Sequence, residues 1–134
     1  MANTTFSGPV RSENGFDMIT KNATTGAVTA NASYDKGIRG GVQTLTGAGA
    51  VDLTNLITEL TTTGADALTL ADGTTSGQVK IVNMIVDGGD GTLTPVTFAN
   101  GTTITFDAVA ESATLVWNST IGWVATSVQG ATIA

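Results

Sequence analysis

The chain has 134 residues, room for one ordinary domain or for a smaller domain plus an arm, and it contains no cysteine and no histidine. Those absences remove disulfides, thiolate nucleophiles, Ser-His-Asp and Cys-His catalysis, and the usual zinc ligand sets. With a net charge of −6 and five scattered bases (Arg11, Lys21, Lys36, Arg39 and Lys80), it also lacks the clustered Lys and Arg that nucleic-acid binding by counterion release requires.

The first 15 residues read as an irregular arm. "NTTFSGPVRSENGF" is polar and broken by Gly8, Pro9 and Gly15, yet it carries two isolated phenylalanines, Phe6 and Phe16. "FDMITKNATTGAVTA" then gives two short β-like runs, Phe16–Lys21 and Ala27–Ala30, joined by a Gly-containing loop suited to a hairpin. Residues 31–50 are dense in Gly and small side chains. They are expected to form a linker with one short strand at Gly41–Leu45, because so long an unstructured stretch separates modules more often than it crosses one.

"VDLTNLITEL" carries Leu53, Leu56, Ile57 and Leu60 at helical spacing, with Asp52 placed as an N-cap. The β-branched Thr54, Thr58 and Thr61–Thr63 argue against a helix, and the segment is read as strand. From residue 66 the pattern is β throughout. "DALTLADG" is a strand ending in a turn. "GQVKIVNMIV" begins by alternating Val79 and Ile81 against Gln78 and Lys80, then turns apolar on both faces, as a central or subunit-covered strand does. Pro95 points to an edge strand or a bend. "TITFD" sets Ile104 and Phe106 against Thr103 and Thr105, and "ATLVW" and "GWVATSV" flank "NSTIG" as a hairpin that brings Trp117 near Trp123.

The expected fold is therefore all-β: a compact antiparallel β-sandwich or barrel-like module over 46–134, preceded by an N-terminal arm, hairpin and Gly-rich linker over 1–45. A β domain of that size with few aromatics has a small core, and it gains from burying further area between subunits, so self-association is expected.

Candidate chemistry is sparse. In "VDGGDGTLTP", Asp87 and Asp90 are the only candidates for a metal, as oxygen ligands to Ca²⁺ on a flexible loop. The EF-hand spacing and its distal Glu are missing, and a Gly-rich turn with Asp hydrogen-bonded to local backbone explains the motif equally well. Eleven acids make a glycosidase pair conceivable on paper, but the aromatics of a sugar cleft are missing, and no phosphate-loop spacing occurs. No enzyme activity and no cofactor are expected. Trp117 and Trp123 are either a sugar-stacking platform or the cap of a hydrophobic core, with the core reading preferred. The arm reads differently: Phe6, Pro9, Val10 and Phe16 cannot build a core locally, which suits a strap that orders on a partner.

The opening "MANTTFSGPVRSENGF" followed by "ITKNATTGAVT" resembles the start of small virion structural proteins of tailed bacteriophages. The later "LTLADGTTSGQVKIVNM", "DGGDGTLTP" and "GTTITF" through "TLVWNSTIGW" are similar to a β-rich module of such proteins. The resemblance implies a particle component of the capsid decoration or cement type, commonly a trimer on the outer face of the expanded head, with the major capsid protein as partner. It carries no catalytic residue to transfer. Joined to the residue reading, it yields an expected capsid-contact arm of Phe6, Pro9, Val10, Arg11 and Phe16, with Arg11 pairing an acidic capsid loop.

No apolar run approaches the ~18 residues of a membrane span, and the polar start lacks a signal-peptide pattern. Synthesis in the host cytoplasm and residence on the outer capsid surface, with no nucleic-acid or membrane partner, are the matching expectations. The alternative is a fibre or spike module that docks on the virion by its arm and binds host glycan through Trp117 and Trp123.

Overall fold

Short alternating runs separated by Gly and Asx turns dictate strands, and strands are what form. The structure, a computed structural model, describes residues 17–33 and 39–134. The chain divides into two units, residues 1–40 and 41–134.

In the first unit β1 (Asp17–Lys21) pairs antiparallel with β2 (Val28–Ser33), and β2 pairs antiparallel with β3 (Arg39–Gly40). The expected hairpin is present, and its loop is built by Asn22. The Asn22 side-chain oxygen accepts hydrogen bonds from the Thr24 and Thr25 N–H groups, both at 2.9 Å, and the Asn22 carbonyl accepts from Gly26 N–H. This is the local Asx geometry that makes "NATTG" a turn.

The second unit is a sandwich of two five-stranded sheets. One has the order β12-β11-β8-β6-β4, the other β13-β10-β9-β7-β5. The strands are β4 (Val42–Thr46), β5 (Gly49–Val51), β6 (Ile57–Thr61), β7 (Asp66–Leu70), β8 (Val79–Val86), β9 (Gly91–Pro95), β10 (Ile104–Phe106), β11 (Ser112–Asn118), β12 (Gly122–Gln129) and β13 (Thr132–Ile133).

The all-β expectation holds, but the sheets are mixed rather than antiparallel. From β4 to β9 the chain changes sheet at every corner, so β4, β6 and β8 pair in parallel, as do β5, β7 and β9. That is three turns of a coil with two strands per turn. Antiparallel strands finish it: β10 on β9, β11 on β8, β12 on β11 and β13 on β10.

Register in the coil stacks like on like. Leu45, Leu60 and Met84 form one inward column, and Leu68 pairs Leu93 on the facing sheet. Leu60, Leu68, Val82, Leu93, Ile104, Phe106 and Leu115 are fully buried. Each such side chain contributes about 1.5–3 kcal/mol relative to exposure.

The three corners on one side of the coil also stack, and this explains "VDGGDG". A Cβ on Gly88 would lie 2.4 Å from the Thr62 carbonyl oxygen, and one on Gly89 2.7 Å from the Gly64 carbonyl carbon. Backbone lies on backbone there, and only glycine permits it.

The short strand expected at Gly41–Leu45 is present as β4, and it belongs to the second unit, which starts at Gly41. Three sequence expectations are corrected. Residues 52–56 are a turn between β5 and β6, and Asp52 caps that turn: its Oδ1 accepts from the Thr54 and Asn55 N–H groups at 3.0 and 2.8 Å. Pro95 is not on an edge strand: it ends β9, an interior strand of its sheet, where the loss of a donor costs least, and the chain bends directly after it at Val96 and Thr97. Finally, the face assignment of β8 is reversed. Lys80, Val82 and Met84 point inward, whereas Val79 is exposed and Ile81 lies on the outer face.

Candidate functional site

Of the expected contact residues, Phe6, Pro9, Val10, Arg11 and Phe16 lie outside the described residues. What the structure does show is the sheet that follows them. Within the first unit, Ile19 and every residue from Lys21 to Thr29 is exposed; Ile19 and Val28, the apolar ones in strands, are 54 % and 57 % exposed. A two- or three-stranded ribbon gains stability by covering an apolar face. Among the described residues of this unit those two side chains are exposed, which makes them available to a partner.

The division at residue 40 also sorts the charges. Arg11, Lys21, Lys36 and Arg39 all belong to the first unit. The body carries eight acidic residues against one base, Lys80, and Lys80 is only 1 % exposed. Basic residues that look scattered along the sequence are thus segregated, and the outward surface of the body presents no lysine or arginine. An acidic surface repels other acidic surfaces and favours a partner that meets it through uncharged faces.

The two outer faces of the sandwich differ. On the β12-β11-β8-β6-β4 sheet, register sets Val42 beside Ile57 and Ile57 beside Ile81, and sets Val79 beside Val116 and Val116 beside Val124. All six are at least partly exposed, forming an apolar stretch across every strand of the sheet. The outer face of the other sheet carries Thr69, Thr92, Thr94, Thr105 and Thr132, with no charge among them.

Trp117 and Trp123 meet as expected, paired in register on β11 and β12 with ring centroids 5.4 Å apart and tilted by 59°. They are core residues, 7 % and 0 % exposed, and the Trp123 indole N–H donates to the Ala71 carbonyl at 2.9 Å. The glycan platform of the alternative reading is therefore corrected. A sugar cannot stack on rings that the sandwich has already covered.

Asp87 and Asp90 form no cage. Asp87 Oδ1 accepts the Gly89 N–H at 2.9 Å, and the Asp90 carbonyl accepts the Asp66 N–H at 2.8 Å. Among the described residues no three acidic side chains come together as a metal would need. Chelation with EDTA is accordingly expected to leave the thermal midpoint unchanged; a fall in Tm restored by Ca²⁺ would contradict the turn assignment.

One constellation escaped sequence reading. At the end of the sandwich opposite the glycine corners, Lys80 reaches up from the core floor to the 52–56 turn. Its Nζ donates to the Asn55 carbonyl at 2.9 Å and lies 3.6 Å from Asp52 Oδ1. The other Asp52 oxygen accepts from Asn55 Nδ2 at 2.7 Å. Gln43 Oε1 accepts from the Asp52 N–H and from Thr58 Oγ1, and Gln78 Nε2 donates to the Leu53 carbonyl.

Burial holds the Lys80 ammonium below the ordinary lysine range, opposed by the Asp52 carboxylate. Burial pulls Asp52 upward, but the Asn55 backbone and side-chain N–H groups, with Lys80 and the Thr54 N–H, outweigh it and hold Asp52 below its ordinary value. The usable signal was parity: Lys80 shares a strand face with Val82 and Met84, and a lysine stem packs as a hydrophobe while its head finds polar company.

Among known proteins, no family model matches the sequence, and a comparison with curated proteins finds no match.

Proposed function

We propose that this is a structural virion protein, a capsid decoration or cement protein that binds the outer capsid surface and braces neighbouring capsid subunits. The observation that carries the reading is the division of labour within the chain. A closed, self-sufficient β body is preceded by a thin, basic-containing sheet whose apolar Ile19 and Val28 are uncovered. Such a ribbon has its use on a partner, where strand pairing and pocket filling supply what its own chain does not.

The arm ahead of it, with Phe6, Pro9, Val10, Arg11 and Phe16, extends the same contact. The body self-associates, as a homotrimer, through the apolar face that holds Val42, Ile57, Ile81 and Val116, since this face combines apolar area with a single acid, Glu59. Three arms on one trimer then engage adjacent capsid subunits, and the high effective concentration makes modest single contacts sufficient. The work is adhesion, and it needs no catalytic group.

Removal of residues 1–15 tests the division directly. Binding to undecorated expanded heads is expected to fall at least tenfold while the mass of the assembly in solution still corresponds to three chains. Unchanged binding would remove the arm from the account, and a truncated chain that no longer self-associates would place the subunit contact in the arm rather than the body.

A further inference from the structure

A buried primary amine beside a carboxamide, with one carboxylate touching both, is an arrangement that can react. Lys80 is 1 % exposed, and its Nζ donates to the main-chain carbonyl of Asn55, so the amine is held at the residue that carries the carboxamide while Asp52 links the two side chains. Asp52 spans the pair, with one oxygen 3.6 Å from Lys80 Nζ and the other 2.7 Å from Asn55 Nδ2. The carboxylate is thus placed to accept a proton from the nucleophile and deliver one to the leaving group. The Asn55 amide is moreover held: Gly41 packs so closely on its Oδ1 that a Cβ there would be 2.4 Å away.

We propose that the chain cross-links itself, forming an amide between Lys80 Nζ and the Asn55 side-chain carbon Cγ. In the step, Asp52 takes a proton from the Lys80 ammonium, and the freed amine attacks Cγ. The Nζ–Cγ bond forms, the Cγ–Nδ2 bond breaks, and a second Nζ proton passes through Asp52 to Nδ2. Ammonia leaves and departs as ammonium with the proton still on Asp52. No oxidant, reductant or cofactor is consumed. Desolvation favours the reaction, because burial weakens the hold of Lys80 on its proton. The product ties the β5–β6 turn to β8, bracing successive turns of the parallel coil at the end that lacks the glycine corners.

The mass of the purified full-length chain tests this. It is expected to be one ammonia lower than that of the sequence, referenced to the Lys80→Arg variant, whose guanidinium cannot attack. Trypsin supplies a check that needs no variant. After denaturation it is expected to cut after Arg39 but not after Lys80, since an acylated lysine is not a cleavage site, leaving one fragment from Gly40 to Ala134. Asp52→Ser, which retains a side-chain oxygen to cap the turn, is expected to abolish the mass loss. A native chain of full sequence mass, or one cut after Lys80, overturns the proposal. Loss of one water instead of ammonia overturns the assignment to Asn55 by moving the bond to Asp52, and a persisting mass loss in Asp52→Ser overturns the role given to that carboxylate.

Discussion

Trp123→Ala is expected to lower the unfolding free energy of the body by about 3–5 kcal/mol, the range for emptying a fully buried large aromatic site. Trp123 has no exposed surface, packs against Trp117 at a tilt, and is the donor that satisfies the Ala71 carbonyl. It also holds a crossing strand: its backbone receives Ala99 N–H and gives its own N–H to the Thr97 carbonyl, so the loop after β9 is laid down along it. Trp123→Phe keeps most of the packing and forfeits the indole donor, for an expected cost of about 1–3 kcal/mol. Urea unfolding at one fixed protein concentration separates the two, since self-association makes the midpoint concentration-dependent. If the alanine variant were as stable as the parent, the tryptophans would have to be surface residues, and the glycan reading would return.

The second large effect belongs to a residue without a side chain. Gly89→Ala is expected to destabilise by roughly 2–5 kcal/mol, combining backbone strain with overpacking. Its φ is +141°, and the added carbon would sit 2.7 Å from the Gly64 carbonyl carbon, a contact that side-chain motion cannot relieve. Two controls isolate the cause. Gly77 has φ +92° with open space around it, so Gly77→Ala carries backbone strain alone, about 1 kcal/mol; Gly64→Ala meets nothing within 4 Å and is expected to be near neutral. Equal effects at all three positions would mean that the stacked corners are not what holds successive turns together.

These residues also show where the sequence was legible. Alternation at Ile104 and Phe106, the hairpin that pairs Trp117 with Trp123, and the Asn22 turn are local features, each settled within a few residues, and each reads correctly. The parallel coil is not local. Leu45 pairs Leu60 and Leu60 pairs Met84 across corners of different length, and nothing within a single strand announces which distant strand lies beside it. Lys80 illustrates a different failure. Hydrophobic alternation put Val79 and Ile81 inside, but parity is fixed by the longer apolar half of β8, where Val82 and Met84 are buried, and the lysine follows them inward. Asp52 carried a true capping signal attached to the wrong element, because an Asx cap serves a turn as readily as a helix. The chemistry of the Lys80 cluster was invisible for the same reasons, since its members come from β4, the 52–56 turn, β6 and β8, and only the coil brings them together.

Adhesion to a protein shell is the claim on which the functional account rests, and one measurement addresses it most directly. Fluorescently labelled intact protein is titrated onto undecorated expanded heads, with sedimentation of the heads as the readout. The account predicts saturable binding at many equivalent sites per head, in a fixed ratio to the major capsid protein, and heads that withstand higher temperature once saturated. Protein that stays in the supernatant, or that binds only at one vertex, would contradict it.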